Sequence, residues 1–207
     1  LVMADTVAIT LLRHGLTIAN ERRAYLGWSD SPLSAEGEKR IQALRGSYPM
    51  YEKIHTSDLP RCVETARLLF PEAVLVKDRS FREMNFGHWE GKTYDELKSD
   101  GKYMDWLENP MEAIVPGGEG YREFSDRVRI GWNEWIADEE DRYVLMTHGG
   151  VIRDLLVRFA PVEKAFFDWG ISHGMGYELI WKDRNSLRRG ERCTLLQAVP
   201  ITANLNG

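Results

Sequence analysis

Two stretches of the chain are apolar and of strand length: residues 6–12 (TVAITLL) and 143–147 (YVLMT). Short runs rich in β-branched residues and bounded by polar ones predict buried strands. Other segments show helical spacing. In 34–45, Ile41 and Leu44, with Tyr48 just beyond, make one apolar face, and Ser34 opens the segment with Gly37 where a capping box would have Glu. Val63, Ala66, Leu69 and Phe70 do the same for 59–70, and Phe124, Val128, Ile130 or Gly131, Trp132, Trp135 and Ile136 for 121–136. A further helix is predicted over 151–159, and weaker short strands over 53–56 and 73–76.

Patterning fades between 78 and 118, where 93–99 and 103–107 read as short helices before Pro110, Pro116 and the Gly117-Gly118 pair break the chain. The acidic run 138–141 reads as a solvated turn. Residues 175–181 and 193–199 resemble a terminal hairpin, joined by a basic, polar segment (182–192) expected to be a solvated loop. Strands and helices thus alternate before two final strands. This predicts an α/β fold: a three-layer α/β/α sandwich with a mostly parallel central sheet, helices on both faces, and ligands at the carboxyl ends of the strands. No repeat or linker divides it, so 1–207 reads as a single domain with an excursion at about 92–116 that covers the substrate.

Composition narrows the function classes. A formal charge of −5 gives no general footprint for nucleic acid, so an anionic ligand must be held by a local group of cations. The basic segment 182–192 has no interleaved aromatics and is not read as a nucleic-acid site. Cys62 and Cys193 match neither a disulfide framework nor a thiolate metal spacing and are expected to be free. No run approaches a membrane span, and residues 1–5 lack a secretory pattern, so a cytoplasmic protein without membrane partners is expected.

Both convincing strands end in histidine: Arg13-His14-Gly15 and Thr147-His148-Gly149-Gly150. One such ending is commonly a polar residue entering a loop, but a parallel sheet brings two of them together. Imidazoles can share a metal. Neither histidine, however, has a compact ligand set nearby, and the adjacent Arg13 disfavours a cation. A guanidinium suits a phosphoryl group, and the neighbouring glycines, Gly149 among them, allow backbone N–H groups to approach the same oxygens. Phosphate chemistry without a metal or cofactor is the better reading.

The RHG motif followed by Thr17 and Asn20 resembles the opening of the histidine phosphatase superfamily, the phosphoglycerate-mutase-like proteins. The likeness continues in order through GWSDSPLSAEG (27–37), TSDLPRCVETA (56–66), FREMNFGHWEGKTYDEL (81–97), PGGEG (116–120) and THGGVIRDLL (147–156). It implies that His14 is the nucleophile, that Arg13 and Arg61 clamp the phosphoryl oxygens, and that His148 donates to them. It implies that Glu83 protonates the leaving oxygen and then activates water, with Thr17, Asn20 and Ser57 as helpers near the phosphate. Read without the resemblance, Arg61 is an ordinary surface cation, and Glu83 pairs with Arg79 or Arg82. His55 and His173 are left as structural or surface residues. His88 either lines the pocket or packs against Trp89. Leu16 and Gly120 depart from the family pattern, where a polar residue and a serine are usual.

The segment after Glu83 resembles the phosphatase branch, and W-x-x-x-P (106–110) with PGGEG and THGGVIRDLL resembles the α-ribazole phosphatases most closely. The implied partner is a small phosphorylated metabolite. Broad-specificity phosphatase, cofactor-dependent phosphoglycerate mutase and a non-catalytic phospholigand-binding module remain alternatives, and a monomer and a homodimer are equally open. Tyr94, Tyr103 and Trp106 either stack on an aromatic base or seal an apolar lid core.

Overall fold

The computed structural model describes residues 6–140 and 142–201. Residues 1–5, on which the reading of the leader rests, and Asp141 of the acidic turn lie outside them. In chain order the elements are β1 (Val7–Arg13), α1 (Ile18–Glu21), α2 (Ala35–Leu44), β2 (Lys53–Ser57), α3 (Pro60–Leu69) and β3 (Val74–Asp78). There follow α4 (Tyr94–Leu97), α5 (Gly101–Glu108), α6 (Tyr121–Trp135), β4 (Arg142–Thr147), α7 (Gly149–Phe159), β5 (Gly176–Trp181), α8 (Arg184–Arg188) and β6 (Leu195–Val199).

One six-stranded sheet runs in the order β3-β2-β4-β1-β5-β6. Its first four strands are parallel, and β5 and β6 close it antiparallel. Alternation along the strands divides the core. Leu12, Ile54, Val144 and Met146 pack with Ile41 of α2 and with Cys62, Ala66 and Leu69 of α3. Ile9, Leu11, Tyr143 and Leu145 face the other layer, where Val128 and Trp132 of α6 meet Ile152, Leu155 and Leu156 of α7. Each fully buried aliphatic side chain contributes about 1.5–3 kcal/mol. The predicted three-layer α/β/α architecture is the one observed.

Helix starts follow local chemistry. Ser34 Oγ accepts from Gly37 N at 3.0 Å, and glycine leaves the box without its reciprocal bond. At α4, Thr93 and Glu96 make both bonds. Gly120 precedes α6 without a side-chain cap, as its missing hydroxyl requires. The basic segment 182–192 departs from the expected solvated loop. It folds as α8, because Asp183 caps Ser186 N at 2.7 Å and Leu187 finds the core, 1% exposed. Cys62 and Cys193 are both free and buried. Among the described residues no helix is long and apolar enough to cross a membrane.

Candidate active site

Register assembles the site. Arg13 stands opposite Thr147 in the β1–β4 pair, so the next residues, His14 and His148, leave the sheet side by side with ring centroids 5.2 Å apart. Across β4, Thr56 stands opposite Met146, which brings Ser57 Oγ to 2.8 Å from His148 Nε2. Arg61 follows in the first turn of α3 and is 0% exposed, so it is no surface cation. On the far side of β1, β5 enters antiparallel with Gly176 opposite Leu12, and the chain approaching it passes His14. There His173 Nδ1 donates to His14 O at 3.0 Å, with its ring centroid 5.3 Å from that of His14. Sequence reasoning left His173 aside. The available signal was its place just ahead of an antiparallel strand that must begin at the edge where the two strand-end histidines emerge.

Protonation follows from burial. His14 Nδ1 donates to Gly15 O at 2.7 Å, which leaves the lone pair on Nε2. Burial first, then Arg61, His173 and Arg13, hold His14 well below the usual histidine range. Burial, Arg61, His14 and Arg13 do the same to His148, and burial with Arg13 brings His173 down to about 4. All three rings are neutral at pH 7. Burial also lowers both arginines, Arg13 to about 10, and Glu83 opposes that shift in each. Arg13 Nη1 donates to Ile171 O at 2.7 Å, while Arg61 Nη1 and Nη2 donate to Ser29 O and Gly27 O at 3.0 and 2.5 Å. The Nε–H groups of both are buried without a protein partner. A buried donor without an acceptor costs about 1–3 kcal/mol, more when charged, so this edge favours an anion.

Glu83 arrives on irregular chain after a 3₁₀ turn, Arg79–Phe81. Its Oε2 accepts from Gly150 N at 2.9 Å and its Oε1 from Met84 N at 3.0 Å. A Cβ at position 150 would stand 2.1 Å from Glu83 Oε1, so the second glycine of the THGG motif is what admits the carboxylate. Pairing with the neighbouring arginines does not occur. Arg82 makes a two-pronged bond to Asp58 at 2.7 and 2.6 Å, and Arg79 lies over Trp28.

The expected phosphate helpers have local work as well. Thr17 and Asn20 bond each other reciprocally at the start of α1, with Thr17 Oγ1 2.9 Å from Asn20 Oδ1. Gly149 opens α7, and a Cβ there would stand 3.4 Å from Arg13 Nε. His55 is buried beside Trp135, a structural role. Among the described residues no group of three or more His, Cys, Asp or Glu could hold a metal.

A cavity of about 320 Å³ adjoins Glu83 and Gly150, walled by Tyr25, Phe86, Trp106, Tyr121 and Phe166, with Arg153 at its side. Of the excursion 92–116, Trp106, Leu107, Pro110 and Met111 line it, and of the aromatic residues singled out there only Trp106 does. Tyr103 is 0% exposed and is spent on the excursion's own core, its hydroxyl 2.8 Å from that of Tyr25 and its ring edge-on to Trp89. Tyr94 is half exposed and stands outside the cavity. His88 is exposed and lies against Gly117 instead of lining the pocket or packing as core. An aromatic cluster of Trp89, Tyr103 and Trp106 buries the middle of the excursion and leaves one edge as wall. Tyr25, Phe86, Tyr121 and Phe166 come from four separate segments, which no local pattern joins.

Comparison with known proteins agrees with this geometry. The family model of the histidine phosphatase superfamily (branch 1) matches residues 9–185. The chain is 31% identical over 168 residues to phosphoglycerate mutase-like protein 4 of Arabidopsis thaliana, covering 76% of this chain and 73% of that protein. It is 31% identical over 159 residues to the adenosylcobalamin/alpha-ribazole phosphatase of Escherichia coli, covering 72% and 76%. The crystal structure of the alpha-ribazole phosphatase from Shigella flexneri superposes with a TM-score of 0.75 at 26% identity, over 84% of this chain and 90% of that one. Paired strand-end histidines, two buried guanidiniums and a family match over most of the chain lead to one conclusion: this protein belongs to the histidine phosphatase superfamily (branch 1) and is an enzyme of the phosphoglycerate-mutase-like phosphatase type.

Proposed function

We propose that the chain hydrolyses phosphate monoesters through a phosphohistidine on His14, with α-ribazole 5′-phosphate as its substrate. The observation that carries this reading is the protonation geometry of the edge. His14 is neutral, its Nδ1 is committed to Gly15 O, and Nε2 keeps its lone pair within a setting of charged arginines. Nε2 attacks phosphorus and the bond to the leaving oxygen breaks, while Glu83 delivers a proton to that oxygen. Water then attacks the phosphohistidine, Glu83 takes back a proton, and the N–P bond breaks to release inorganic phosphate. Arg13, Arg61 and His148 stabilise the charge on the transferring oxygens throughout. Ser57 orients His148, and Thr17, Asn20 and Gly149 shape the loop ends around them.

The aromatic walls beside Glu83 support a planar, apolar leaving group, and the resemblance to proteins named as alpha-ribazole phosphatases points to the same one. Stacking on such walls contributes about 1–3 kcal/mol, which corresponds to roughly ten- to a hundredfold preference over a small aliphatic phosphate. The test is a panel of α-ribazole phosphate, a simple alkyl phosphate, and 3-phosphoglycerate with and without 2,3-bisphosphoglycerate. Phosphate release with the highest kcat/KM on α-ribazole phosphate is expected. Equal values for the alkyl ester reduce the reading to a broad-specificity phosphatase, and efficient isomerisation of phosphoglycerate replaces it with a mutase.

A further inference from the structure

The turn Gly27-Trp28-Ser29 touches both halves of the site, although none of its side chains belongs to the sheet edge. Its carbonyls serve Arg61: Gly27 O and Ser29 O accept Nη2 and Nη1 at 2.5 and 3.0 Å. Its indole serves Glu83: Trp28 Nε1 donates to Glu83 O at 2.9 Å, with Arg82 and Arg127 stacked on the ring at 5.0 and 5.7 Å. Its N–H groups all converge on one carboxylate. Glu90 Oε2 accepts from Gly27 N at 2.9 Å and Ser29 N at 3.2 Å, and Oε1 accepts from Trp28 N at 2.8 Å. Oε1 also accepts from Phe86 N at 3.0 Å, on the segment that carries Glu83. The approach is so close that a Cβ on Gly27 would stand 2.1 Å from Met84 O and 2.4 Å from Glu90 Oε1.

We propose that Glu90 and Trp28 are positioning residues, and that the turn they hold sets the separation between the phosphate-clamping Arg61 and the proton-handling Glu83. This rests on the roles given to Arg61 and Glu83 above. A long arginine side chain on a helix has no fixed guanidinium orientation of its own, and Glu83 stands on chain without a regular ladder. Both are bonded by the same three-residue turn, Arg61 through the carbonyls of Gly27 and Ser29 and Glu83 through the Trp28 indole. The peptide groups of that turn can aim their carbonyls at Arg61 only while their N–H groups are gathered on the opposite side by Glu90. Displacing reacting groups by about 1 Å can cost a hundredfold in rate, so a shared turn of this kind acts on catalysis through geometry alone.

The test compares Glu90→Gln and Trp28→Phe with the wild type, using inorganic phosphate as competitive inhibitor and paired alkyl and 4-nitrophenyl esters. The amide of Glu90→Gln turns a donor toward backbone donors and loosens the turn. Phosphate binding should weaken about tenfold, and kcat on the alkyl ester should fall by up to about a hundredfold. Trp28→Phe keeps an aromatic ring beneath Arg82 and Arg127 but removes the indole N–H bonded to Glu83 O. Phosphate binding should stay within about twofold, while the alkyl ester loses about tenfold more than the nitrophenyl ester. Unchanged phosphate affinity and unchanged leaving-group dependence in Glu90→Gln, with only a lower Tm, would make the turn mere packing and overturn the proposal. Should Glu90→Gln not fold, Trp28→Phe decides alone, and equal losses on both esters reject it. Failure of the wild type to form a phosphoenzyme on His14 would instead strike the underlying reaction scheme.

Discussion

Arg13, His14, Ser57 and His148 reach the site on strand ends and Arg61 on the first turn of a helix, whereas Glu83 reaches it on irregular chain, and different physics holds each group. At the sheet edge, ladder register fixes the backbone of every residue from Ala8 opposite Arg142 to Arg13 opposite Thr147, and buried aliphatic side chains hold the strands. The segment 80–85 has no ladder. Arg127 bonds Ser80 O, Arg82 O and Glu83 O at 2.8, 2.9 and 3.1 Å, and is itself paired to Glu119 through two 2.8 Å bonds. Glu119 in turn accepts from Asn85 N at 2.9 Å. Where regular structure ends, charged side chains replace it: Arg127 satisfies three peptide carbonyls and Glu119 one peptide N–H. The sheet edge is therefore expected to tolerate loss of a polar contact better than the segment that carries Glu83, which depends on a few ions.

The largest effect should come from the sheet edge. His14→Ala should still fold and should lose activity on the order of 10⁴-fold or more, because the proposed nucleophile is removed. Rapid-quench labelling should find acid-labile phosphate on the wild type and none on this variant. Normal turnover by His14→Ala would end the nucleophile assignment. Next in size, Glu83→Gln should slow alkyl ester hydrolysis by about 10²–10⁴-fold, and slow phosphoenzyme formation from a nitrophenyl ester much less. Equal losses on both esters in single-turnover formation would count against its role as acid.

The comparison itself is tested by Arg127→Met, which removes one partner of a pair whose side chains are 19% and 7% exposed. A loss of about 3 kcal/mol is expected, since Glu119 is left buried without its counter-charge. Amide exchange should accelerate over residues 80–86 while the amides of β1 and β4 keep their protection. Uniform acceleration would mean that the two regions are one cooperative unit.

The smallest effect is that of pH. His14 and His148 are held neutral in the folded chain, so between the unfolded pKa of about 6.5 and their lowered folded values the unfolded state binds more protons. Stability therefore declines as pH falls below about 6.5, by about 1–2 kcal/mol between pH 7 and pH 6. His173 adds to the decline until pH approaches its folded value of about 4. Denaturant midpoints across that range measure it, and His148→Gln should flatten the slope. A slope of opposite sign would contradict the neutral edge.

Local sequence determined much of this protein. Apolar runs at 6–12 and 143–147 became β1 and β4, helical faces became α2, α3, α6 and α7, and the residue after each central strand became a member of the site. Such features are legible because period, propensity and strand-end chemistry act over a few residues. Tertiary structure alone decided the rest. That Arg61 is buried, that His173 lies against His14, and that Tyr103 is core while Phe166 is wall are all contacts between distant segments. So too is the gathering of Gly27, Trp28 and Ser29 on Glu90, more than sixty residues away, with Glu83 held by Arg127. A charged side chain carries no period, and its partner is chosen by whichever peptide groups folding leaves without one.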